Sequence, residues 1–211
     1  MTPDRLPVLG LIGAIGAGKS TAARAFAERG GFAIDCDRLG HEALSLPEIS
    51  NRLVTRWGIR ILLPDGSPNR KVIGAIVFTD VAERTFLEGV VFPAIGTLAR
   101  MEMAKAVANP SVRFIVLDAA TLLEANWGDF CDRIVYLDAS DEIRCKRVWD
   151  RSGWDSAELA RRVAAQWPAA AKIERADAVI RNDGTESELR VTVARLLKDW
   201  GWIDEKECRD D

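Results

Sequence analysis

The 211-residue chain has one histidine, His41, and four widely spaced cysteines, Cys36, Cys131, Cys145 and Cys208, with no CxxC pair. A zinc site of the usual ligand spacing therefore cannot be assembled locally, and the thiols read as reduced, mostly structural groups of a cytosolic protein. An excess of charge of one sign is lacking too. With 29 Lys and Arg against 32 Asp and Glu, the net charge of -3 gives no general attraction to nucleic acid or to an anionic membrane. Long apolar runs are missing: no segment approaches the roughly 20 apolar residues of a membrane-spanning helix, and the run in MTPDRLPVLGLIG is too short for a signal peptide. There is no internal repeat, low-complexity stretch or Gly/Ser linker. What remains is an ordinary globular composition, 48% hydrophobic and 29% charged, at a length that fits one domain over 1–211 with an embedded subdomain or lid. Any anion such a chain binds must be captured locally.

The means of capture stands near the start. The apolar run PVLGLI leads into GAIGAGKST, residues 13–21, which fits the pattern GxxxxGK[ST], and a helical pattern from Lys19 to Arg29 follows, ending at Gly30-Gly31. Strand, glycine loop and helix is the order that a loop wrapping a phosphate chain requires. Glycines 13, 16 and 18 let backbone N–H groups turn inward around phosphate oxygens, and the helix N-terminus adds positive potential. Lys19 then reaches the β and γ phosphates and the Ser20 hydroxyl ligates Mg²⁺. The nucleotide contacts are thus expected at Gly13, Gly16, Ala17, Gly18, Lys19, Ser20 and Thr21. No NKxD pattern for reading guanine is present, which favours ATP.

Further bounded apolar runs lie at Phe32–Ile34, Arg113–Leu117, Arg133–Leu137 and Ala178–Ile180. Between them are helical patterns at Pro47–Trp57, Ala82–Ala108 with an expected break at Pro93, Asp141–Asp150, Ser156–Gln166 and Glu186–Trp200. The alternation predicts a three-layer α/β fold on a parallel sheet. The stretch 38–109 has little strand signal and one turn-rich piece, LLPDGSPNR, and reads as a mostly helical insertion that would build an acceptor site. The tail IDEKECRDD is charged and expected to fray.

Two constellations leave alternatives open. IDCD ends a strand, where ligand sites of open α/β sheets gather; Asp35 and Asp37 could accept a proton from an attacking hydroxyl or hold water around Mg²⁺, or Asp35 could cap a helix with Asp37 solvated. In RCKRVWDR, Arg144, Arg147 and Arg151 share one helical stripe aimed toward the loop SGWD. They could form a lid that brings guanidinium groups to a moving phosphate, or a solvated face balanced by Asp141, Glu142 and Asp150. Trp127, Trp149, Trp154 and Trp167 read as packing residues rather than base-stacking platforms.

Taken together, the motifs resemble the dephospho-coenzyme A kinases over nearly the whole chain. That family opens with TGGIGSGKST, here IGAIGAGKST, and continues with a DAD motif, here Asp35-Cys36-Asp37, and DGxLNRxxLGxxVF, here DGSPNRKVIGAIVF from Asp65. A DxPLLFE-like stretch follows, here DAATLLE from Asp118, then an arginine-bearing lid helix that runs to Gln166, and ADxVIxNDG, here ADAVIRNDG from Ala176. The resemblance implies a P-loop kinase fold with a helical acceptor insertion and a lid at about 147–167, and ATP-dependent phosphorylation of the ribose 3′-hydroxyl of dephospho-CoA. It implies that Asp37 is the base, that Asp35 orients the hydroxyl or helps with Mg²⁺, and that Arg147 and Arg151 stabilise the moving phosphoryl group. Arg70 would contact the acceptor, and Asn182 to Gly184 would lie beside the adenine. A cytoplasmic enzyme with a small-molecule substrate is expected, a monomer with at most weak self-association, without nucleic-acid or membrane partners. The chain departs from the pattern at Phe92-Pro93, where His-Pro is usual, at Ala120 for Pro, at Ile12-Gly13-Ala14 and at Arg151-Ser152. The other readings are a kinase of another small hydroxyl acceptor, such as a nucleoside or sugar acid, and a nucleotide-binding protein whose chemistry has lapsed.

Overall fold

The apolar runs form five parallel strands: β1 (Val8–Gly13), β2 (Gly31–Asp35), β3 (Phe114–Asp118), β4 (Arg133–Asp138) and β5 (Ala178–Arg181). The structure is a computed structural model that describes residues 5–204; the tail from Glu205, with Cys208, and residues 1–4 lie outside the described residues. The sheet order is β2-β3-β1-β4-β5, so the P-loop strand sits at the centre, between β3 and β4. Connections from β1 and β4 leave in opposite directions, toward β2 and β5, which opens a crevice at the carboxyl ends of the strands.

Alternate side chains explain the layers. Leu9, Leu11, Phe114, Val116, Val135, Leu137 and Ile180 share one core with Ala22, Phe26, Leu189, Val193 and Leu197 from two helices. Their neighbours in the strands, such as Ile12, Ile115, Leu117 and Tyr136, are equally buried and face the other way by the period of two. Both faces are therefore covered, as a parallel sheet requires. Truncating the fully buried Phe26 to alanine would cost about 3–5 kcal/mol.

Nine α-helices are described: α1 (Lys19–Glu28), α2 (Cys36–Ser45), α3 (Pro47–Trp57), α4 (Arg70–Val77), α5 (Val81–Val107), α6 (Asp141–Ser152), α7 (Ser156–Ala164), α8 (Ala169–Glu174) and α9 (Glu186–Asp199). Three of these, α2, α4 and α8, carry no clear sequence signal. In α2 the apolar stripe is short and Gly40 interrupts it; α4 starts inside the turn-rich piece, where Asn69 caps it by accepting from Val72 N; α8 has six residues. The expected break at Pro93 is absent, and α5 runs through it. Proline removes the N–H that would bond the Gly89 carbonyl and costs about 3 kcal/mol inside a helix. Gly89 is exposed, so water can take its carbonyl, while burial of Val90, Val91, Ile95 and Ala99 offsets the rest.

The chain divides into two compact units, one formed by residues 1–35 and 103–211 and the other by Cys36–Glu102. The second unit is helical and holds one isolated antiparallel bridge, between Leu62 and Pro68. Inside it, Trp57 meets Phe86 edge to face with centroids 5.8 Å apart, and Glu83 takes the Trp57 indole N–H at 2.7 Å.

Candidate functional site

Residues 13–18 form a loop whose shape other segments of the first unit dictate. A Cβ at Gly13 would run into the Leu137 carbonyl of β4, and one at Gly16 would lie 2.8 Å from the Arg144 carbonyl. Gly16 and Gly18 also have φ of +84° and +90°, the left-handed region that disfavours side chains. Helix α6 thus packs directly on the loop.

Its arginines hold the loop's carbonyls. Arg144 Nε donates to the Ile15 carbonyl at 2.9 Å, and Arg147 Nη1 donates to those of Ala17 at 3.3 Å and Asn182 at 3.1 Å. The buried Asn182 side chain donates from Nδ2 to the same Ala17 carbonyl at 2.7 Å. In a trans peptide the C=O and N–H point in opposite directions. With the Ile15 and Ala17 carbonyls held toward α6 and Asn182, the Gly16 and Gly18 N–H groups are aimed the other way. The unbonded first N–H groups of α1, at Lys19 and Ser20, join them and complete an anion-binding concavity. Ala17 is fully buried, while Ser20 is exposed in the first turn of α1.

The Lys19 ammonium pairs with the Asp118 carboxylate, their side chains 15% and 9% exposed. Asp118 closes β3 and stands beside Leu11 of β1 on one side and Asp35 of β2 on the other. The apolar run Phe114–Leu117 ending in Asp118 next to the P-loop strand is the signal that could have found this residue, since a carboxylate there commonly holds Mg²⁺ in P-loop enzymes.

On the far side of β4, Asp183 accepts from the Ser140 N–H at 2.6 Å and from Arg181 Nε at 2.6 Å. The Ser140 hydrogen bond, then Arg181, hold its carboxyl below the ordinary aspartate range. Arg181 also donates to Asp138 at 2.9 Å, so Asn182 leaves a tied β5. A Cβ at Gly184 would collide with the Glu188 carboxylate, which closes a capping box with Thr185 at the start of α9.

Not all expected site residues come together on this loop. Arg144 and Arg147 point at the P-loop, not toward SGWD, because the loop's carbonyls offer acceptors; Arg144, only 15% exposed, is no solvated charge. Arg151, one turn further along α6, is exposed and among the described residues reaches only Ser152 Oγ, at 3.4 Å. Asp35 ends β2, and Asp37 is exposed in the first turn of α2, in the second unit. Arg70 opens α4 in that same unit, its Nη1 within 2.8 Å of a His41 ring nitrogen. The expectation that four tryptophans pack holds for Trp127 but not for Trp149 and Trp167, which are 60% and 40% exposed. Trp149 lies on the outer face of α6, whose inner face is taken by the P-loop contacts; Trp154 carries the Arg162 guanidinium 3.8 Å above its ring.

The model of the dephospho-CoA kinase family (CoaE) matches residues 7–188. A dephospho-CoA kinase of Geobacter sulfurreducens is 39% identical over 192 residues, covering 90% of this chain and 96% of that protein. One of Geobacillus kaustophilus is 35% identical over 193 residues, with 91% and 96% covered. A crystal structure from Thermus thermophilus superposes with a TM-score of 0.77 at 27% identity, over 93% of this chain and 98% of that one.

Proposed function

The chain belongs to the dephospho-CoA kinase family, and on that premise we propose how its residues carry the reaction. It is an ATP-dependent kinase with dephospho-CoA as acceptor, and the group phosphorylated is the ribose 3′-hydroxyl, which yields coenzyme A. The observation that carries this reading in the chain itself is a loop with its Ile15 and Ala17 carbonyls held outward and the Lys19–Asp118 pair at its mouth.

The Gly16, Gly18, Lys19 and Ser20 N–H groups receive the phosphate oxygens of ATP. Lys19 would then exchange Asp118 for the β and γ phosphates, which leaves the Asp118 carboxylate for Mg²⁺. The donors fit Mg²⁺: the Ser20 hydroxyl and the Asp118 carboxylate are hard oxygens. One carboxylate and one hydroxyl suit an ion that keeps several of its waters. Bound there, the ion would neutralise charge on the β and γ oxygens.

Asp37 accepts the proton of the attacking hydroxyl as general base, and Asp35 orients that hydroxyl. Arg70 binds the acceptor. Arg147 has five N–H donors, and among the described residues its Nη1 alone is committed, to the Ala17 and Asn182 carbonyls; the rest serve the moving phosphoryl oxygens, and Arg151 joins it. Asn182 and Gly184 serve the adenine side. No helix among the described residues is long and apolar enough to cross a membrane. We place the activity in the cytoplasm on the separate ground that the cysteines form no paired framework. The test is ADP release from ATP and Mg²⁺ with dephospho-CoA, adenosine or gluconate offered separately. Release that depends on dephospho-CoA alone is expected; equal release with another acceptor, or none with any, overturns the reading.

A further inference from the structure

Behind the turn that follows Asp118 lies a buried charge pair with no part in the reaction as described. Lys172 of α8 is 2% exposed. Its ammonium donates to the Ala120 carbonyl at 2.8 Å, pairs with Glu124 Oε1 at 2.9 Å and reaches Gln166 Oε1 at 3.3 Å. All three of its donors are thereby used. Glu124, with a side chain 9% exposed, also accepts from the Trp167 N–H at 2.9 Å. One ammonium and one carboxylate therefore join three segments: the turn 119–124 after β3, the stretch 166–167 that leaves α7, and α8.

Stability alone does not call for this arrangement. Desolvating two charges consumes most of their attraction, and well-packed apolar residues in place of a buried pair are often as stable or more so. Glu124 adds to the cost, since its Oε2 is buried with no hydrogen-bond partner among the described residues. The contacts themselves, however, are positional. The Ala120 carbonyl lies two residues past Asp118, the carboxylate that faces Lys19, so whatever fixes it fixes the end of β3.

We propose that Lys172 and Glu124 are positioning residues for phosphoryl transfer: they hold the turn behind Asp118 in place and tie it to the segment leaving α7. The proposal rests on the kinase reading above. Displacements of about 1 Å at a reacting group can cost on the order of 100-fold in rate, and loss of supporting contacts around a site 10- to 100-fold.

The experiment compares wild type, Lys172→Met and the double variant Lys172→Met/Glu124→Leu, each assayed for dephospho-CoA-dependent ADP release and for Tm. For Lys172→Met the expected kcat is about 10- to 100-fold lower, with KM for ATP within about threefold of wild type, and Tm falls because Glu124 is left buried and unpaired. In the double variant Tm returns toward wild type while kcat stays low, because the Ala120 carbonyl is still without Lys172 and the Trp167 N–H has now lost Glu124 as well. A kcat that recovers together with Tm overturns the proposal and leaves a purely structural pair, as does a wild-type kcat in either variant. Where Lys172→Met does not fold at the assay temperature, the double variant decides alone. A wild type without acceptor-dependent turnover would instead remove the premise, an outcome that the variants cannot mimic.

Discussion

Asn182 offers the sharpest test of how the P-loop is held. Its Nδ2 donates at 2.7 Å to the Ala17 carbonyl of a fully buried residue, and Arg147 provides the only other contact described there, a longer one at 3.3 Å. Asn182→Leu keeps the side-chain volume and removes the donor. Leaving a buried acceptor short of its partner costs about 1–3 kcal/mol, and with Arg147 still present the lower part of that range applies. For a chain of this size each kcal/mol moves Tm by about 2–4 °C, so the apo protein should melt about 2–8 °C lower. The second effect falls on ATP, because the same peptide aims the Gly18 N–H. A loosened peptide that weakens ATP about tenfold removes about 1.4 kcal/mol of ligand-induced stabilisation at saturating nucleotide. Thermal denaturation with and without ATP and Mg²⁺ reads both effects. A variant with wild-type apo Tm and an unchanged ATP-induced shift would refute the claim that Asn182 shapes the loop.

Other perturbations separate the remaining roles. Asp37→Asn should keep ATP affinity, measured by calorimetry, and lower phosphoryl transfer by roughly 100-fold or more, the scale of a general base; an unchanged rate rejects that role. Asp118→Asn should raise the Mg²⁺ concentration for half-maximal rate about tenfold, and a wild-type Mg²⁺ profile would exclude this carboxylate from the metal site. Asp183 predicts a pH dependence. Its folded pKa is lowered from 3.8 by the Ser140 N–H and Arg181, so its stabilisation is complete above the unfolded pKa and is lost as pH falls through the folded value. The urea midpoint difference between wild type and Asp183→Asn should be largest at neutral pH and shrink below about pH 4; a constant difference down to pH 3 contradicts it.

Much of this was legible in the residues because the signals were local. Five apolar runs, a GxxxxGKS loop and a helix in fixed order specify a parallel sheet with a phosphate site at its centre, and strand ends fell within a residue or two of where the runs stop. What escaped was set by tertiary contacts. Pro93 looks like a helix end by its chemistry alone, yet buried side chains on both sides of it carry α5 through. Arg144 and Arg147 show helical spacing but not direction, and only the packing of α6 on Gly16 turns them onto the loop's carbonyls. Asp118 was visible as the end of an apolar run, but its pairing with Lys19 depends on β3 lying beside β1, which no local pattern encodes. The Lys172–Glu124 pair joins residues 48 positions apart through two intervening segments and has no sequence signature.

The most direct test of the central claim is the identity of the product. Purified protein is incubated with ATP, Mg²⁺ and dephospho-CoA, ADP and acceptor product are quantified, and the position of the new phosphate is read from proton–phosphorus coupling on the ribose. The account predicts equal amounts of ADP and coenzyme A, with one added phosphate on the ribose 3′-oxygen. ADP formed without a phosphorylated acceptor, or phosphate at another hydroxyl, would contradict it.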